Sequence, residues 1–482
     1  MTRTPLLALA LLLAAHASVG AQVPDAEYAA RRDSLARRMG EGALVAFGAP
    51  DFVGHQFVFR QLPAFDYLTG FREPDAVLVM VHHDAVVRSS LFTLTPSVRT
   101  QLYDGFRESH EALAARTGFQ ARPLDELAEY VDSLAAAGVA IFELRDFRTA
   151  DYAYRDTLTR GASFVKQLRQ RHSGLAVRDV HPLVSDMRAR KSPAELALLR
   201  RAIDITDAAH RAALRAVRPG AWEYQVEADI EHAFRRAGAD GPAFSSIIGS
   251  GPNATTLHYV SNDRQMQAGE VVVMDIGAAV DGYAADVTRT VPVSGRYSPE
   301  QRAIYELVLE AQKAAEALVR PGASAGASLE ASRRVRLEGL ARLGLIESPE
   351  ATFDPPWPVD CDARPDQCLQ GTLFMIHGIS HGIGLEVHDP ASFYEGDAYQ
   401  PGDVFTIEPG IYISSRALEL LQDTPKNRAF VAAVREIVAR YDNIGVRIED
   451  DYVVTGTGVE RLSTGAPREI EEIERAMGNP TT

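Results

Sequence analysis

Val271-Val-Val-Met-Asp275-Ile-Gly-Ala-Ala-Val-Asp281-Gly-Tyr283-Ala-Ala-Asp286-Val-Thr-Arg-Thr290 is the stretch on which the fold turns. Val271–Val273 is β-branched and apolar, as a buried strand requires. Asp281-Gly282 is a turn signal, and a second β-prone run, Val287–Val293, follows. The pattern predicts a hairpin with one aspartate on each arm. Asp275 and Asp286 are mirror-related about the Val280/Asp281 junction. A four-residue turn at Ala279–Gly282 would set them directly opposite, with Cβ atoms roughly 5 Å apart. Two like charges so placed in an apolar strand pair repel unless a cation lies between them. The alternative is a solvated hairpin with two surface acids.

The chain has 482 residues, 46% of them hydrophobic, a formal charge of −15 and two cysteines. This is an ordinary globular composition with material for a sizeable core. The acidic balance argues against nucleic acid or an anionic membrane as partner. No internal window approaches the ~20 apolar residues of a membrane span. Residues 1–21 read as a secretory signal, with Arg3 as a basic n-region, Leu6–Ala15 as an apolar h-region and Val19-Gly20-Ala21 as a cleavage site. Export to a periplasm or beyond is expected, a retained anchor being the alternative. Cys361 and Cys368 lie in a turn-rich loop and can pair in an oxidising compartment. The rival reading is zinc, for which two thiols without further partners make a poor site.

Residues 22–185 alternate helix and strand signals, predicting an α/β domain. Helices are expected at Ala26–Met39, Gly105–Ala115, Asp125–Ala136 and Ala162–Arg171. Strands are expected at Ala43–Phe47, Ala76–Val81 and Val139–Leu144. His82-His83 reads as a strand end near solvent. Val177–Arg190 reads as a linker.

Residues 186–482 then form one domain with repeated grammar. Ser192-Pro-Ala-Glu195 and Ser298-Pro-Glu-Gln301 are both capping boxes with Pro at the first helical position. Both helices run to matching stops, Val217-Arg-Pro-Gly-Ala221 and Val319-Arg-Pro-Gly-Ala323. Two such units predict an internal duplication. In the second half, strand alternation puts Glu408 with Thr406, opposite Phe405 and Ile407. It puts Glu449 with Arg447, opposite Val446 and Ile448. Three of the thirteen histidines fall in His377-Gly-Ile-Ser-His381-Gly-Ile-Gly-Leu-Glu-Val-His388. The i,i+4 pair His377/His381 lacks a zincin's glutamate, and its glycines disfavour a helix.

Taken in order, Asp275, Asp286, His381, Glu408 and Glu449 resemble the pita-bread metallopeptidases: aminopeptidase P, prolidase and methionine aminopeptidase. Asn253-Ala-Thr-Thr-Leu-His258-Tyr259, Val387-His388-Asp389 and Thr406-Ile-Glu408-Pro-Gly also match. Phe59-Arg-Gln61 and Phe65-Asp-Tyr-Leu-Thr-Gly70-Phe resemble the N-terminal domain of that family. The resemblance implies an α+β chain, with an N-terminal α/β creatinase-like domain and a C-terminal pita-bread domain of pseudo-twofold symmetry.

The resemblance also implies Asp275, Asp286, His381, Glu408 and Glu449 as ligands of two divalent ions, with Asp286 and Glu449 shared. Such a donor set suits Mn²⁺, with Co²⁺ or Zn²⁺ as alternatives. The implied reaction is attack of a metal-bridging hydroxide on the Xaa-Pro bond at a peptide's N-terminus. His258 and His388 would stabilise the intermediate, Glu408 would handle the proton, and His377 would shape the pocket. Arg447 would orient a ligand. A homo-oligomer is expected.

The competing class is a peptide-binding relative that has lost its ligands, but all five are present. Within the enzymes, prolidase is the alternative. Prolidases of the family carry an arginine shortly before a Gln-Pro-Gly turn. Here Gly396-Asp-Ala-Tyr399 precedes Gln400-Pro-Gly402, with Arg416 the substitute candidate. An aminopeptidase is therefore expected. Methionine aminopeptidase is disfavoured by the large N-terminal domain and by export.

Overall fold

The computed structural model describes residues 22–50, 59–145, 159–393 and 398–478. The signal read at 1–21 lies outside them, as do Gly396 and Asp397.

The N-terminal domain is a six-stranded mixed sheet. In chain order its elements are α1 (Asp25–Met39), β1 (Gly42–Phe47), α2 (Pro63–Thr69), β2 (Val77–His83), β3 (Val86–Thr93), α3 (Val98–Asp104), α4 (His110–Thr117), β4 (Gln120–Pro123), α5 (Leu127–Ala136), β5 (Ile141–Glu143), α6 (Arg160–Arg171), β6 (Val177–Asp179) and α7 (His181–Arg188). The strand order is β4-β3-β2-β1-β5-β6. Alternation along β1 and β2 explains the two covered faces. Leu44, Ala46, Leu78 and Met80 join one core with α1 and α2, while Ala43, Val45, Val77 and Val79 join another with α5. His82 and His83 end β2, His83 exposed.

Two expectations need correction here. The helix expected at Gly105–Ala115 starts late: Gly105 takes φ +93° and ends α3, and α4 begins only at His110, capped by the Ser109 side chain. Val177–Arg190 is not a linker. Val177 pairs with Ile141 to make β6, and α7 follows immediately. Short elements of one or two turns leave little periodicity to read.

The C-terminal domain carries the repeat. Both capping boxes form, opening α8 (Pro193–Ala216) and α10 (Pro299–Glu316). Each long helix packs on the next, α9 (Glu223–Arg236) and α11 (Ala325–Arg342). The first-half strands are β7 (Gly241–Pro242), β8 (Ile247–Ser250), β9 (Val271–Ile276), β10 (Ala278–Val280), β11 (Tyr283–Ala284) and β12 (Val287–Pro292). The second half supplies β13 (Val404–Ile407), β14 (Gly410–Ile413), β15 (Ile444–Arg447), β16 (Asp450–Val454) and β17 (Val459–Arg461). The fold is α+β, with an N-terminal α/β domain and a C-terminal domain built from two similar halves.

The hairpin register differs from expectation by two residues. Asp275 lies opposite Thr288, not Asp286. The turn is two residues long, because Asp281 and Gly282 adopt φ +51° and +78° and Val280 pairs with Tyr283. Extending that register places Asp286 opposite Gly277, where a Cβ would strike the Ala285 carbonyl. Asp275 and Asp286 still share a face, as diagonal rather than direct neighbours.

The domains are pinned together near this hairpin. Arg31 of α1 reaches Glu195 at 3.1 Å, and Arg72 reaches Asp281 at 2.7 Å. Cys361 and Cys368 form a disulfide with a Cα–Cα distance of 5.8 Å, which removes the zinc reading. Among the described residues no helix is long and apolar enough to cross a membrane.

Candidate metal centre

Three of the four acids sit at interruptions of the strand pairing, one in the first half and two in the second, while Asp275 lies within β9. In the second half, β13 pairs with β16 and β14 with β15. The two pairings share one register, broken only at Glu408-Pro409 and Ile448-Glu449, so Glu408 faces Glu449 across the gap. In the first half the same kind of break, between β9/β12 and β10/β11, holds Asp286. Breaks free side chains from the pleat while the flanking ladders hold their positions.

β12 joins the halves. Glu449 N donates to Thr288 O at 3.1 Å, and Thr290 Oγ1 bonds both N and O of Arg447 at 3.0 Å. The loop carrying His381 lies along β13. Thr406 N donates to His381 O, and Glu408 N donates to Ile379 O, each at 2.8 Å. No helix forms there, as its glycines suggested.

Four carboxylates and one imidazole therefore converge. His381 Nε2 lies 3.5 Å from Asp286 Oδ2, 3.5 Å from Glu408 Oε1 and 3.7 Å from Glu449 Oε1. Asp286, His381 and Glu449 offer ligand atoms within 4.8 Å of one another. Asp275 is oriented by Arg447, whose Nη2 lies 2.5 Å from Oδ2. The Thr288 hydroxyl donates to Glu449 Oε2 at 2.7 Å and accepts from Arg447 Nε at 3.2 Å.

The electrostatics of this group suit a cation. Asp275 Oδ1, Asp286 Oδ1 and Glu449 Oε1 are buried without a hydrogen-bond partner. Burial, then Glu449 and Asp275, push the Asp286 carboxyl well above the carboxylate range. Burial and Glu449 push Glu408 up to about 8. Burial pulls the His381 imidazole down, but Glu449 and Glu408 more than offset it, to about 9. Carboxyls raised in this way for want of counter-charge release protons as divalent ions bind. The donor set, four carboxylates and one imidazole, suits hard or borderline ions.

The remaining histidines rim this cluster. The His388 ring centroid is 4.2 Å from that of His381. His377 Nδ1 lies 3.5 Å from Glu408 Oε2, and its Nε2 lies 2.8 Å from the Tyr412 hydroxyl, which also accepts from Arg447 Nη1 at 2.8 Å. His258 is exposed, close enough that charge on it would depress both His377 and His388. Burial and Arg447 lower His377 to about 3, and burial and His381 lower His388 to about 4, so both are neutral at pH 7. The five candidate ligands, the three further histidines and Arg447 singled out in the sequence thus meet in one region.

Sequence reading missed Thr288, Tyr412 and the anchor beneath His388. Thr288 and Tyr412 lie on the same strand faces as Asp286 and Glu408, two and four residues on, so alternation was their signal. Asp389 is gripped by Arg188 at 2.5 Å and Lys191 at 2.9 Å. Those cations lie some two hundred residues upstream, and no local pattern announces them.

Residues 197–456 match metallopeptidase family M24, and residues 28–142 match the aminopeptidase P N-terminal domain. The Xaa-Pro aminopeptidase of Escherichia coli (strain K12) is 34% identical over 467 residues, covering 95% of this chain and 98% of that one. The Xaa-Pro dipeptidase of Homo sapiens is 34% identical over 319 residues, 62% of each chain. Among solved structures, proline aminopeptidase P II from Yersinia pestis superposes with a TM-score of 0.78 at 34% identity, covering 94% of this chain and 99% of that one.

Proposed function

This chain belongs to metallopeptidase family M24, and from that membership we infer that it is a metal-dependent Xaa-Pro aminopeptidase. The observation that carries the reading is that likeness to a Xaa-Pro aminopeptidase runs through both domains, while likeness to a dipeptidase stops at 62% of the chain. In the described part of the loop before Gln400, Ala398 and Tyr399 supply no basic group for a dipeptide carboxylate. Arg416 is exposed on the helix Ser415–Glu419.

Asp275, Asp286, His381, Glu408 and Glu449 would hold two divalent ions, Mn²⁺ being the ion we propose for so oxygen-rich a set. When bound, such ions polarise the scissile carbonyl and make water nucleophilic near neutral pH. The chain's own groups do the rest. Arg447 and Thr288 fix the Asp275 and Glu449 carboxylates before substrate arrives. His258 and His388, on the open side, donate N–H to the carbonyl oxygen as charge builds there. Glu408 Oε2, facing His377, takes a proton from the attacking water and passes it to the proline nitrogen. A tertiary Xaa-Pro amide has no N–H to offer a general peptidase, so a dedicated site is required.

The test is hydrolysis by chelated and Mn²⁺-reconstituted enzyme of matched Xaa-Pro-Yaa and Xaa-Ala-Yaa peptides. Cleavage of the first alone, and only with metal, is expected. Full activity after exhaustive chelation would refute the reading.

We also propose export, supported by the Leu6–Ala15 apolar run and by a disulfide suited to an oxidising compartment. A homo-oligomer is proposed on the exposed Val98, Leu102, Tyr103 and Phe106. Sedimentation of wild type against Leu102→Asp tests the latter, a monomer in both contradicting it.

A further inference from the structure

Glu223, the first residue of α9, is fully buried, and we propose that it is a positioning residue that holds the loop of His258 in its catalytic place. The proposal rests on the assignment of His258 made above. His258 lies on an irregular segment. After a 3-10 turn at Gly251–Thr255 the chain enters no strand before Gln265, so no ladder fixes it.

Glu223 supplies the missing restraint. Its Oε1 accepts from Ser250 N at 2.7 Å and Ser250 Oγ at 2.6 Å, with Asn253 Nδ2 at 3.4 Å. Its Oε2 accepts from Arg264 N at 2.9 Å and from the Tyr259 hydroxyl at 2.8 Å. One carboxylate thus gathers the start, the end and the middle of residues 250–264, and Tyr259 is the residue next to His258. Charge-assisted bonds to a buried carboxylate are the strong kind. The base of the loop is closed separately. Asn262 accepts from Ile248 N and donates to Ser246 O, both at 2.9 Å, and Arg264 pairs with Glu270 at 2.5 Å. Beneath it, Gly445 is required because a Cβ there would strike the Ala254 carbonyl. The loop therefore has a fixed foot, and Glu223 fixes the arm above it.

The chemistry makes the proposal specific to a carboxylate. Both oxygens face backbone N–H groups, Ser250 N on one side and Arg264 N on the other. Backbone donors cannot turn away. In either amide orientation, a glutamine at this position would set its NH₂ against one of them. Glu223→Gln therefore keeps the shape and breaks one end of the tie.

The experiment is a double-mutant cycle of Glu223→Gln with His258→Ala on the metal-loaded enzyme, read together with amide hydrogen exchange. Glu223→Gln should lower kcat roughly 10²-fold with little change in KM. Exchange should quicken in residues 250–264 and not in β9 or β12, and metal content should be unchanged. In the His258→Ala background the same substitution should make no further difference, because Glu223 acts through His258. If Glu223→Gln does not fold, Tyr259→Phe removes the hydroxyl that Glu223 and Asp263 share and should give a smaller fall, again absent in His258→Ala. Falls that multiply in the double variant, or full kcat in the single one beside an impaired His258→Ala, overturn the proposal alone. Full kcat in His258→Ala overturns the assignment of His258 and the proposal with it.

Discussion

Glu408 and Glu449 stand opposite one another in the gap of a single antiparallel ladder, each on a strand that resumes its pairing on the far side. Two buried acids so placed repel, and the cost is tolerated because the ladders on either side hold them there. The same device in the other half holds Asp286 opposite Gly277. The site is the meeting of two interrupted hairpins, joined through Thr288 and Thr290.

A charge-free substitution inside this cluster should separate folding from metal binding. The folded-state pKa of Asp286 lies above its unfolded value. Its cost in the metal-free protein is thus absent below the unfolded pKa and grows as pH rises above it. Asp286→Asn should leave the metal-free Tm at pH 7 equal or higher, yet abolish activity. Wild type should gain about 2.7 kcal/mol at a metal concentration of 100 Kd, and the variant should gain almost none. Thermal scans with and without Mn²⁺ check this, and an equal gain in both would contradict it.

Arg447→Ala removes the partner of Asp275 and the donor to Tyr412. Metal affinity or kcat should fall about 10- to 100-fold. Arg447→Lys should recover little, since one ammonium cannot replace three directed contacts. Isothermal titration with metal distinguishes this from a loss of folding.

Acid should loosen the His388 turn through Asp389. Burial alone would raise this carboxyl, but Arg188 and Lys191 outweigh it and hold it below the usual range. Its contribution is full above the unfolded pKa of about 3.9 and is lost as pH falls through the lower folded value. Asp389→Asn leaves two buried cations short of a partner and should cost about 3 kcal/mol at pH 7. Urea midpoints from pH 7 down to pH 3 measure both effects, and a midpoint for the variant equal to wild type at pH 7 would contradict them.

Opening the Cys361–Cys368 bridge should cost about 2.5 kcal/mol by the loop-entropy relation. The loss should be local to the segment before the histidine loop. Intact mass without reductant should show both thiols blocked. Two free thiols in protein from an oxidising compartment would contradict the bridge.

Much of this was readable in the chain because the chemistry is carried by strands. Alternation put Glu408 and Glu449 on polar faces, and the capping boxes at Ser192 and Ser298 marked the repeat. The register of Asp275 and Asp286 was not readable to the residue. Turn length depends on whether Asp281 accepts a positive φ, which tertiary packing decides. The supports beneath the site were hidden for a different reason. Arg188 to Asp389 and Glu223 to Arg264 are contacts between distant segments, and a single sequence carries no periodic signal for them.

The central claim is that this enzyme removes Xaa from peptides longer than the dipeptide. The measurement that tests it most directly is kcat/KM for Gly-Pro against a matched Gly-Pro-Pro tripeptide, with Mn²⁺-loaded enzyme. The account predicts the higher value for the tripeptide, because a dipeptide's carboxylate finds no basic group in the described loop beside Gln400. A higher value for Gly-Pro would contradict it and make the enzyme a dipeptidase.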